Sequence, residues 1–339
     1  MSQANFDEIR QILAAMPVVD EAAQKRYWGR DAVLTKPPRA LGRLEEIGAW
    51  YVGWKAEYPA QFIRPRVSVY AGNHGVAAQG VSAFPPEVTG QMVQNFRNGG
   101  AAVNQLAMLH DADLKIHEMA LDQATKDFSL EPAMSEQECA EALAYGMMDA
   151  EEGVDILCVG EMGIANSTSG AALCCALYGG SAEQWVGRGT GIDDATLVKK
   201  TAVINAALTR HKDVVERGDG LEILRTFGGL ELAGIVGAVI AARVGRIPVL
   251  LDGYACTAAA AILCTIRPDA LDHCLVAHRS KEPGHIKLLE KINKEPLLDY
   301  NMGLGEASGA ALALGIVKAS IALHNGMASF DEAAVSEKD

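Results

Sequence analysis

The sequence predicts an α/β fold in which a parallel sheet is covered by helices on both faces. Short apolar runs at 67–71, 114–119, 155–159, 247–251 and 274–277 are each followed by glycine or polar residues and then by a helical pattern. Strands that alternate with helices of this length pair in parallel, because a crossover helix returns the chain to the same edge direction. Apolar residues make up 49% of the chain and charged ones 22%, enough to fill such a core without an added staple. A length of 339 residues allows two domains, or one large domain with an appendage.

Before the first strand, residues 5–60 read as helical. Ile9, Ile12 and Leu13 fall at helix spacing, and LGRLEEIGAWYVGWKAEY repeats apolar positions every three or four residues. Between them, Thr35-Lys-Pro-Pro-Arg39 is an extended connection, since consecutive prolines disfavour helix. The most hydrophobic stretch, 230–244, contains Glu231 and Arg243 and is followed by Arg246. It is too short and too interrupted to span a bilayer and reads as a buried core helix. The last helix covers 308–324, and DEAAVSEKD is expected to fray as a polar tail.

The net charge of −13 sets a repulsive field against nucleic acid and anionic membrane, so an anionic small substrate would need a local cluster of donors and cations. Seven cysteines, at 139, 158, 174, 175, 256, 264 and 274, lie in apolar segments without CxxC spacing, and MSQANFDEIR has no signal-peptide character. The expectation is reduced thiols and a cytoplasmic protein.

In open parallel sheets ligands bind beyond the carboxyl ends of the strands. The first such loop, 71–82, carries glycines that allow sharp turns and ends at Ser82; a plain turn reads equally well. The loop 160–170, GEMGIANSTSG, sets small residues and hydroxyls before a helix, where free N–H groups favour a phosphate or where the hydroxyls serve as ordinary caps. Glu161 could orient a ribose hydroxyl or face water. Gly187 to Asp194 follows GxGxG, a weak dinucleotide signal. Lys199 and Lys200 open the next helical segment and offer positive charge, or are simply solvated. His278, Glu282 and His285 mix a strand end with a turn, which disfavours a metal site. Glu306, between Gly305 and the Ala-rich final helix, is a lone carboxylate aimed at whatever that helix start faces, or a capping residue.

In order along the chain, LTKPPRALGRLEE at 34–46, AGNHGVAAQGVSAFPPEVTGQMVQNFRNGGAAVNQL at 71–106, GEMGIANSTSGAAL at 160–173, GRGTGID at 187–193 and GLGEASGAALAL at 303–314 resemble the nicotinate-nucleotide:dimethylbenzimidazole phosphoribosyltransferase family. RIPVLLDGYACTAAA and AHRSKEPGH extend the resemblance, which covers about 30 to 325. It implies a Rossmann-like, mostly parallel sheet at 61–309 and a small helical domain built from 1–60 and 310–339. It also implies a homodimer, no cofactor and no metal. The implied reaction converts nicotinate mononucleotide and 5,6-dimethylbenzimidazole to α-ribazole 5′-phosphate and nicotinate in cobalamin assembly. Glu306 would be the general base. Ser82, Glu161, Met162, Gly163, Ile164, Asn166, Ser167, Thr168, Gly189, Thr190, Gly191 and Lys200 would bind substrate. The chain departs from the family pattern at Gly303 and Ala307, where MRLGEGSG is common, and at Asn73, where Asp is frequent. Two other readings use the same loops: a nicotinamide-dependent oxidoreductase, disfavoured by the missing GxGxxG, and a non-catalytic benzimidazole sensor.

Overall fold

The computed structural model describes residues 4–336. Helices α1 (Phe6–Ala14), α2 (Glu21–Asp31) and α3 (Arg43–Lys55) precede strand β1 (Pro65–Ala71). Then follow α4 (Glu87–Arg97), α5 (Ala102–Leu109), β2 (Asp113–Glu118), α6 (Glu136–Met147) and β3 (Ile156–Met162). A long helical excursion comes next: α7 (Asn166–Tyr178), α8 (Asp194–Arg210), α9 (Lys212–Arg217), α10 (Gly220–Phe227) and α11 (Leu230–Val244). The chain closes with β4 (Val249–Leu251), α12 (Tyr254–Ala261), β5 (Cys274–His278), α13 (Pro283–Lys291), β6 (Pro296–Leu298) and α14 (Ser308–Gly326).

The strands form one parallel sheet in the order β2-β1-β3-β4-β5-β6. All five strands expected from the sequence are present. The sixth, β6, is not foreseen because it is three residues long, starts with proline and pairs with β5 through Val276 opposite Pro296 and His278 opposite Leu298. A run that short carries no alternation to read.

Right-handed crossovers decide which face each helix covers. The β1 to β2 connection moves towards one edge of the sheet, and every later connection moves towards the other. Helices α4 and α5 therefore pack on one face, while α6, α7, α10, α11, α12 and α13 crowd the opposite one. The strands alternate to match: Val67, Val69 and Ala71 of β1 join the first core and Tyr70 the second. Two helices cannot cover a six-stranded face. The deficit is filled by α2, α3 and α14, drawn from both ends of the chain, whose apolar side chains share one core with that face. Helix α1 lies on the other face, in the core of α6 and α11, held by Arg267 donating to the Leu13 and Met16 carbonyls.

The terminal helices are tied by a buried ionic cluster in the LTKPPRALGRLEE segment. Lys36 Nζ lies 2.9 Å from Asp31 and 2.8 Å from Glu45, with all three side chains under a tenth exposed. Burial disfavours each charge, yet the hydrogen bonds to Glu45 and Asp31 outweigh it and raise the proton affinity of Lys36. Ahead of the polar tail Phe330 N donates to Val33 O, and residues 331–336 of the tail are exposed and without helix or strand, with Val335 N donating to Phe330 O. Residues 337–339 of that tail lie outside the described residues. Among the described residues no helix is long and apolar enough to cross a membrane.

Lys36→Ala would strand two buried carboxylates, an arrangement that costs about 3–5 kcal/mol. Urea unfolding at pH 7.5 should show a loss of that order, shrinking towards pH 4 as protonation discharges the acids. A midpoint unchanged from wild type would mean the cluster adds nothing.

Candidate active site

Strands β1 and β3 are neighbours, but the chain leaves them towards opposite faces of the sheet. Such a switch point leaves a crevice beyond the strand ends. A cavity of about 530 Å³ opens there, walled by segments that follow β1, β3, β4, β5 and β6 and by the start of α8.

Glu306 enters this cavity from the segment between β6 and α14. Its φ is 61° and that of Ala307 is 58°, so two successive non-glycine residues sit in the left-handed region, at a cost of about 1–2 kcal/mol each. Three contacts hold them. Glu306 N donates to Glu161 O at 3.1 Å, Ser308 Oγ donates to Gly305 O at 2.7 Å, and Ala310 N donates to Asp252 Oδ1 at 2.8 Å. The fit also requires Gly160, since a Cβ there would stand 2.0 Å from Ala307 N.

The departures from the family pattern now have local explanations. Ala307 takes the left-handed conformation that glycine adopts freely, and its methyl is buried in the core of the α14 face. At Gly303 the Lys281 side chain fills the space, with its Cε 2.4 Å from where a Cβ would be. Asn73 lies outside the cavity wall, its Nδ2 donating to Leu121 O at 2.8 Å.

At the other end, the chain turns through Gly163, Ile164 and a left-handed Ala165 directly into α7. Ser167 and Thr168 thus belong to the first helical turn rather than to a loop before it. Lys200 is in the second turn of α8, buried, and donates to Ser167 Oγ at 2.9 Å and Gly187 O at 3.2 Å. Lys199 is exposed. Glu282 Oε1 accepts from Gly189 N at 2.9 Å and fastens the GRGTG loop beside Lys200.

Of the residues singled out in the sequence, Ser82, Glu161, Met162, Gly163, Ile164, Asn166, Ser167, Gly189, Thr190, Lys200 and Glu306 line the cavity. Thr168 is buried beneath it and Gly191 is exposed; neither lines it. Residues that sequence reasoning passed over include Val88, Met92 and Asn95 on one face of α4, whose i, i+4, i+7 spacing is a legible signal. Arg188, Tyr254 and Ser280 lie in segments of the family resemblance but were not themselves singled out. His278 and Glu282 also line the cavity, while His285 lies beneath, its Nδ1 accepting from Ser280 N at 3.0 Å. Among the described residues no group of acids, cysteines and histidines is placed to hold a metal ion.

The segment after β1 forms a short 3-10 helix at Gly75–Gln79 and α4 begins only at Glu87, so the strand does not turn directly into an α-helix as a dinucleotide-binding motif does. His74 instead bridges elements: its Nε2 is 2.6 Å from Glu231 on α11 and its Nδ1 is 3.0 Å from Ser169 on α7.

A family model described as phosphoribosyltransferase matches residues 16–335. The nicotinate-nucleotide–dimethylbenzimidazole phosphoribosyltransferase of Rhizobium meliloti (strain 1021) is 52% identical over 334 residues, 98% of each chain. That of Rhizobium etli (strain CIAT 652) is 53% identical over 333 residues with the same coverage. This chain belongs to the nicotinate-nucleotide–dimethylbenzimidazole phosphoribosyltransferase family. The fold agrees: the crystal structure of CobT from Thermus thermophilus superposes with a TM-score of 0.88 at 37% identity, covering 94% of this chain and all of that one.

In this phosphoribosyltransferase the cavity is electrostatically divided. Burial, and then the charge of Asp252, push the Glu306 carboxyl up to about 7. Burial also raises Glu161 well above the carboxylate range, against the hydrogen bond from Asn166. Beside the start of α7 burial pushes the Lys200 ammonium down to about 8, with Glu282 opposing it. A carboxyl near 7 can accept a proton at neutral pH, and a cation beside a helix start can hold an anion.

The raised carboxyl carries a stability consequence. A group whose proton affinity is higher in the folded state binds more protons there, so stability falls as pH rises from about 4.5 to about 7. Glu306→Gln removes a burial cost of about 3 kcal/mol above pH 7. The variant should therefore melt higher than wild type at pH 8 and match it near pH 4. A lower melting point at pH 8 would contradict the assigned burial of this charge.

Proposed function

We propose that the protein transfers the phosphoribosyl group of nicotinate mononucleotide to 5,6-dimethylbenzimidazole, yielding α-ribazole 5′-phosphate and nicotinate for the nucleotide loop of cobalamin. Glu306 is the proton acceptor. The observation that carries this assignment is the carboxyl of Glu306, poised near neutrality in a cavity that also holds a buried lysine beside a helix start.

One nitrogen of the benzimidazole attacks C1 of the ribose while the bond from C1 to the pyridinium nitrogen breaks, and its electron pair returns to that nitrogen. The leaving ring is already cationic while attached, so it departs without a general acid. The azole becomes positive as it bonds, and the proton on its other nitrogen passes to Glu306. One base suffices, unlike the carboxylate pair of a glycosidase. Attack opposite the departing ring inverts the anomeric centre and gives the α product.

In this reading Lys200, Ser167 and the first N–H groups of α7 receive the phosphate, which is remote from the reacting carbon. Their binding energy is spent on alignment, and holding two reactants in line supplies about 7–11 kcal/mol in favourable models. Val88, Met92, Ile164 and Leu304 offer the azole an apolar wall. Such a wall separates close isosteres weakly, so the choice among benzimidazoles is read by assay. The finer assignments to a cytoplasmic homodimer draw on seven unpaired cysteines, which suit a reducing compartment, and on exposed Phe84 and Leu304 in the cavity wall, which suit cover by a second copy.

With nicotinate mononucleotide varied, kcat/KM should rise with a midpoint near pH 7 as Glu306 ionises and fall above about 8 as Lys200 loses its charge. Glu306→Gln should fold, bind both substrates and lose about 100-fold or more in turnover. Near-normal nicotinate release by that variant would remove Glu306 from the chemistry. Binding of both ligands by wild type without nicotinate release would favour the sensor reading.

Lys200→Ala should raise the nucleotide KM about tenfold or more while kcat changes less, the mark of a lost charged contact remote from the reacting bond. An unchanged KM would dismiss the assigned phosphate contact.

A further inference from the structure

The left-handed step at Glu306 and Ala307 needs something to hold it, and the strongest tether comes from outside its own segment. Asp252 follows β4, is fully buried, and accepts from Ala310 N at 2.8 Å through Oδ1. It thus serves the first turn of α14 as a cap supplied from a neighbouring strand, at the positive end of the helix dipole. Its backbone is fixed on both sides, with Asp252 N donating to Val159 O of β3 and its carbonyl accepting from His278 N of β5.

The side chain does more than cap. Oδ2 has no hydrogen-bond partner in the protein, an expensive state for a buried carboxylate that a purely structural cap would not require. His278 Nδ1 lies 3.6 Å from Oδ1, and the His278 ring is admitted by Gly309, where a Cβ would stand 2.0 Å from Nδ1.

We propose that Asp252 is a positioning residue for the reaction: its carboxylate pins the start of α14 so that Glu306 stays aimed into the cavity. This rests on Glu306 being the base. The other charged groups around Glu306 are Glu161 at the end of β3, with Glu231 of α11 behind it, and His278 at the end of β5. Arg188, Lys200 and Glu282 also line the cavity, and Lys281 lies over Gly303. Among these, Asp252 is the one whose charge acts on Glu306 in addition to burial.

The test compares Asp252→Asn, Asp252→Ala and Glu306→Gln with wild type in pH profiles of kcat/KM. Asp252→Asn keeps an acceptor for Ala310 N but removes the charge, so the ascending limb should move to lower pH by about half a unit to one unit. Asp252→Ala removes the tether as well, and at pH 8 should lose about tenfold or more in kcat with the nucleotide KM within about threefold. A limb that stays in place in Asp252→Asn, with wild-type kcat in Asp252→Ala, overturns the proposal while Glu306→Gln remains inactive. An active Glu306→Gln instead overturns the base assignment itself. If neither Asp252→Asn nor Asp252→Ser gives folded protein by circular dichroism, Asp252 is a determinant of the fold and the proposal fails.

Discussion

The active site depends on the backbone of α14 coming to rest on the end of β3. Ala307 lies so close to Gly160 that the strand can carry no side chain there, and in that position Glu306 N reaches Glu161 O. The backbone that carries the base is therefore placed by main-chain contact. Strain of a few kcal/mol at two left-handed residues is sustained because the surroundings determine the path several times over.

That placement brings acids together. Glu161, Asp252 and Glu306 end or follow three strands of one sheet, and burial favours their protonated forms. A fold selected for stability alone would not gather them. The compensation lies elsewhere: Lys36 with Asp31 and Glu45, Arg66 beside Asp149, and Lys55 with Asp155 are buried or half-buried pairs whose acids include Glu45, Asp149 and Asp155, each held below the usual carboxylate range despite desolvation. Charge that is satisfied in the scaffold coexists with charge left unsatisfied at the site, the local inconsistency expected of a functional centre.

The difference between these regions also governs what could be read from the sequence. Strands β1 to β5 and helix α11 were legible because each is a continuous apolar pattern with its own period. Strand β6 was not, since its three residues are defined by pairing to β5 alone. Within the site, Met162 to Ser167 and Gly189 to Thr190 were named through the family resemblance of their segments, since local chemistry alone left ordinary caps and a weak dinucleotide signal open. His278, Ser280 and Glu282 face the same cavity but are reached through the β5 end, and their nearness to Glu306 is a product of strand order that linear spacing does not record. Asp252 lay in a segment of the family resemblance, RIPVLLDGYACTAAA, but its role was not legible there, because its hydrogen-bond partner lies 58 residues away.

Strand order also explains why the base resides near the end of the chain. Right-handed connections send nearly all crossover helices to one face, leaving the face with α4 and α5 underfilled. A final helix must return to cover it, and to do so it starts where β6 ends, at the carboxyl edge of the sheet. The N-terminus of α14 is thus delivered to the ligand crevice by the same requirement that buries its apolar face. Helix α14 closes the core with Ala311, Leu314, Val317 and Ile321 and presents Glu306 from the residues just before it. Packing of that helix and position of the base are consequently one structural variable, and a change that loosens the first will misplace the second even when no residue of the cavity is altered.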